Sequence, residues 1–101
     1  MDDGVLRRLR DAITQVLSPE VKGGAFRDAL TKVVNIIDSP ELSSDDLSKL
    51  GMTNSDRLRL KEFASHVQDY PRKIPHHFLE YKGVEDMLIR IKNNIETIIN
   101  V

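Results

Sequence analysis

The sequence contains no cysteine. That excludes disulfide staples, thiolate catalysis and cysteine-based zinc sites, and it fits a reducing compartment. Neither sign of charge is in excess: fifteen Lys and Arg stand against sixteen Asp and Glu, a formal net charge of −1. The strong positive field of a general nucleic-acid binder is therefore missing. No apolar run approaches the ~20 residues of a membrane-spanning helix. The Met-Asp-Asp-Gly start has no basic stretch leading into an apolar one, so no secretory signal is expected. These features predict an intracellular chain, cytoplasmic or nuclear, with no membrane partner. G-x-G-x-x-G, P-loop, H-E-x-x-H and G-x-S-x-G are all absent.

What is present is helical periodicity. The chain has 101 residues, 40% of them hydrophobic and 31% charged, which suits a single helical domain over residues 1–101 with a solvated outer face. Val5, Leu6, Leu9, Ala12, Ile13, Val16 and Leu17 recur in steps that fall on one helix stripe. Asp2 and Asp3 suit its start, and Ser18-Pro19 its end, because a residue before proline avoids the helical region. Gly23-Gly24 supplies a turn. A second helix from about Gly24 to Asp38 carries Ala25, Phe26, Ala29, Leu30, Val33, Val34, Ile36 and Ile37. Ile36 and Ile37 widen its apolar arc, so it is expected to pack on more than one side. Ser43 to Asp46 opens a short helix ending at Leu50, with Gly51 as the glycine just beyond the cap. Thr53 caps the next, with Asp56 in a capping-box-like position and Leu58, Leu60, Phe63, Ala64 and Val67 as its apolar set.

Beyond Tyr70-Pro71, Pro75 is placed to open a short helix through Tyr81 that Gly83 terminates. The last helix then begins at Val84 and carries a heptad seam of Val84, Leu88, Ile91, Ile95 and Ile98, flanked by Met87, Ile89 and Ile99. No segment alternates with period two long enough to be a strand. The expected fold is all-α: a compact bundle of four main helices and two short ones, or an armadillo/HEAT-like stack.

The stretch Leu58 to Ile91, in the order YPRKIPHHFLEYKGVEDMLIRIK that ends it and runs on to Lys92, resembles an armadillo or HEAT repeat unit: proline, short helix, glycine and long helix. That resemblance implies a right-handed stack whose grooved face binds extended peptides. It is carried by a single unit, and the N-terminal half holds no second copy at a period of about 40 residues. LSSDDLSKLGMTNSDRLRL in turn resembles the later part of a SAM domain, and the same stretch is similar to the turn of a helix-turn-helix.

Residues that could carry chemistry are few. His76-His77 is the only histidine pair, and adjacent helical side chains point about 100° apart, so they do not chelate one metal as an i,i+4 pair would. With His66 they are the histidines an active-site pocket would have to use. Serine, histidine and aspartate form no local catalytic signature. No catalytic residue, metal ligand or cofactor site is assigned.

Binding is the better-supported class. Met87, Ile91 and Ile95 form a row able to receive a partner helix. The heptad seam can close onto the chain's own core or pair with a second copy. Ile89 and Ile99 lie off the seam and would leave an exposed apolar patch at the edge of the fold. Arg57, Arg59, Arg72 and Lys73 are candidate rim charges for a protein or peptide partner, and Glu41, Asp45 and Asp46 could dock a basic one. The expectation is a non-enzymatic adaptor or assembly domain that docks a partner segment on an apolar helix face or groove. The alternative is a nucleic-acid-binding helical domain whose basic patch unites Arg7, Arg8, Arg57, Arg59 and Lys73, which requires those groups to converge in space.

Overall fold

Asp2 starts the first helix, α1 (Asp3–Leu17): its carboxylate accepts the Gly4 backbone N–H at 3.1 Å, satisfying one of the donors a helix start leaves open. Ser18, just before Pro19, turns extended with ψ 126° and ends it. Gly23, at φ 59°, makes the turn into α2 (Gly23–Ile37). The computed structural model describes residues 2–67 and 75–99.

The capping-box-like spacing of Thr53 and Asp56 forms a box, and Ser43 and Asp46, expected only as a helix start, form a second one. In α3 (Ser44–Lys49) the Asp46 N–H donates to Ser43 Oγ, and the Ser43 N–H donates to the Asp46 carboxylate at 3.0 Å. In α4 (Asn54–His66) Thr53 and Asp56 repeat the exchange. Aspartate thus fills the role more often taken by Glu or Gln. The Ser43 backbone N–H holds the Asp46 carboxyl below its ordinary value of 3.8. A carboxyl depressed in this way stabilises the fold above its unfolded pKa, and that contribution is lost as pH falls through the folded one. The thermal midpoint of Asp46→Asn is accordingly expected to lie below that of the unsubstituted chain at neutral pH, and the gap to close below about pH 4.

Gly51 follows α3 at φ 83°, a left-handed conformation that favours glycine. A Cβ there would lie 2.8 Å from the Asn94 side-chain nitrogen, which donates to the Leu50 carbonyl at 2.7 Å and so satisfies the end of the short helix. Gly51→Ala is expected to cost ~1–2 kcal/mol for the backbone and part of the ~0.5–1.5 kcal/mol of the displaced hydrogen bond. In an Asn94→Ala background only the backbone part should remain, a difference that urea unfolding of the four chains of a double-mutant cycle resolves.

The sequence predicts a break at Gly83, and here the structure differs. One helix, α5, runs from Pro75 through Ile99. The described chain therefore has five helices rather than six, and the order of short helix, glycine and long helix on which the repeat resemblance rests is not present in α5. A mid-helix glycine costs about 1 kcal/mol relative to alanine. Tyr81 and Val84, on either side of it, are both fully buried in the core, and that packing offsets the cost. The bare backbone at Gly83 also lies beside the Arg59 guanidinium, whose Nη1 would be 3.7 Å from an added Cβ.

α1 packs against α2 and α5, and α4 packs against the same two helices. The four long helices thus stand at the corners of a square, with α1 and α4 on one diagonal. Tyr81 from α5 meets Phe26 of α2 edge-on at 5.8 Å and Phe63 of α4 at 5.9 Å, so three helices join at one aromatic cluster. Leu42, Leu47, Leu50 and Met52, around α3, belong to the same continuous core. Among the described residues there is no strand, and no polar or charged residue is fully buried. The all-α expectation matches the structure.

Candidate functional site

The row expected to receive a partner helix is inside the molecule. Met87, Ile91 and Ile95 are 2%, 1% and 0% exposed. This corrects their assignment as partner-binding residues: an apolar row on one helix needs a cover, and here α1 and α4 provide it. The seam residues Val84 and Leu88 are buried with them, whereas Ile98 is 40% exposed near the C-terminal end of α5. The seam has closed onto the chain's own core.

Among the described residues four large apolar side chains reach solvent: Leu58, Leu79, Ile89 and Ile98. Leu79 and Ile89 are 71% and 42% exposed, yet they sit ten residues apart on α5, about 15 Å along the axis. Leu58 is 63% exposed on the outer face of α4. Ile99 is half-buried against the core.

Several of the basic residues are engaged in ion pairs. Arg8 on α1 bonds the Glu41 carboxylate at 2.6 Å, and Arg10 bonds Asp11 at 3.1 Å. On α4, Lys61 pairs with Asp38 at 3.0 Å. Arg59 turns toward α5. Arg57 is half-buried, its Nε shielded from water with no hydrogen-bond partner among the described residues, so its stem serves packing. Arg7 is exposed on α1. Through their ion pairs Arg8 of α1 and Lys61 of α4 both reach the α2–α3 connection, where Glu41 and Asp38 lie three residues apart and balance their charge. Arg72 and Lys73 lie outside the described residues.

The acidic group is likewise engaged. Glu41 is held by Arg8, and Asp46 caps α3. Asp45 remains exposed in the first turn of that helix. His66, at the end of α4, places Nε2 3.1 Å from the Glu80 carboxylate and sets its ring edge-on to Phe63 at 5.8 Å. That contact ties the end of α4 to α5. The side chains of His76 and His77 lie outside the described ones. Among the described residues no three His, Asp or Glu side chains gather as a metal-binding set, and no helix is long and apolar enough to cross a membrane.

The described residues also form a concave feature. A groove of ≈ 240 Å³ runs between α1 and α2, lined by Arg8, Asp11, Ala12, Gln15, Lys32 and Ile36. Arg8, Asp11, Ala12 and Gln15 fall at i, i+3, i+4 and i+7, a single face of α1, and Lys32 and Ile36 are one turn apart on α2. The small side chain of Ala12 lowers the floor on one side, and the half-buried Ile36 forms the other. Arg8, Asp11 and Lys32 set charge around that apolar strip, with Arg8 fixed by Glu41 and Asp11 by Arg10. The widened arc that Ile36 gives α2 is the one sequence signal of this groove. Its α1 wall depends on how the two helices are registered, which no local pattern encodes. Comparison with models of protein families, with curated proteins and with solved structures finds no match.

Proposed function

We propose that this chain is a protein-interaction domain, an adaptor or assembly module that seats a segment of a partner protein in the groove between α1 and α2. The observation that carries this reading is the make-up of the groove: an apolar floor of Ala12 and Ile36 inside a rim of Arg8, Asp11, Gln15 and Lys32. An apolar centre with a polar rim is the composition of protein interfaces. The volume supports the same reading. At ≈ 240 Å³ the groove is smaller than the roughly 300–1,000 Å³ of small-molecule pockets, and it takes one or two side chains of a longer segment. An apolar side chain of the partner would lie over Ala12 and Ile36, while the rim charges fix its direction.

Site-directed photo-crosslinking tests this. A crosslinking residue at Gln15 is expected to capture a discrete protein partner that the same residue at Leu58, on the outer face of α4, does not capture. Ile36→Asp and Lys32→Glu should each weaken capture at Gln15 while helical circular dichroism is retained. Capture should persist as salt rises from about 50 to about 200 mM, whereas phosphate-driven binding weakens steeply over that range. Equal capture at both positions, or capture of nucleic acid that salt abolishes, would overturn the assignment.

A further inference from the structure

We draw no further inference here: the strongest candidate beyond the α1–α2 groove, the N-terminus of α2 at Lys22, Gly23 and Gly24, where Lys22 makes no side-chain cap and the first turn holds no acidic residue, is a helix end with no second observation that points to a ligand.

Discussion

Phe63→Ala is expected to lower the unfolding free energy by about 3–5 kcal/mol. Phe63 is fully buried, and its ring meets Tyr81 at 5.9 Å where α2, α4 and α5 converge. Truncation removes the transfer free energy of the ring and leaves a cavity that three helices must close together. Tyr81 loses a ring neighbour but keeps Phe26 at 5.8 Å, so the cluster is weakened and not abolished. A domain of this size has about 5–15 kcal/mol in total, so the loss is at least about a fifth of it. Each kcal/mol should lower the melting temperature by roughly 4–8 °C. Leu58→Ala is the matched control. Leu58 belongs to the same helix but is 63% exposed, and its truncation should stay within about 0.5 kcal/mol. Equal costs at the two positions would mean that α4 is rotated from the orientation described.

Ile91→Ala is expected to cost about 2–5 kcal/mol, with the denaturant midpoint falling and the slope of the transition unchanged. The reason is that Ile91, together with Met87 and Ile95, fills the core between α5 and its neighbours. Were the row a free docking face, the same substitution would leave stability nearly unaltered and reduce only partner binding. The experiment therefore distinguishes a structural row from a functional one on a single number. An unchanged midpoint for Ile91→Ala would return the row to solvent.

The parts of the fold that could be read from the sequence are those decided by neighbours along the chain. Ser43 with Asp46, and Thr53 with Asp56, announce helix starts because a side chain three residues away completes each hydrogen-bond exchange. Ser18-Pro19 announces an end by steric clash alone. At Gly83 the local signal loses for the opposite reason. Its local preference is worth about 1 kcal/mol, and residues distant in sequence, Phe26 and Phe63 around Tyr81, outweigh it. Leu58 shares the apolar character of Leu60 and Phe63, but residues two apart on a helix point nearly opposite ways, and of these three only Leu60 and Phe63 face inward.

The candidate site shows the same division. The sequence identifies Met87, Ile91 and Ile95 as an apolar face but not what covers it, since any apolar surface of the right shape would serve. It places arginines on α1 and α4, and only the tertiary structure reveals that Arg8 is taken up by Glu41 and that Arg59 turns toward α5. The α1–α2 groove is a property of two helices in register. Ala12 becomes a floor and Lys32 a rim only when α2 lies beside α1.

The dependence of unfolding on protein concentration tests most directly whether the α5 row belongs to the chain's own core. Denaturant midpoints would be compared over a hundredfold range of concentration. A row buried within one chain gives a constant midpoint, which is the result expected from the burial of Met87, Ile91 and Ile95. A midpoint that climbs with concentration would show that folding is linked to association, and that the row is covered by a second copy.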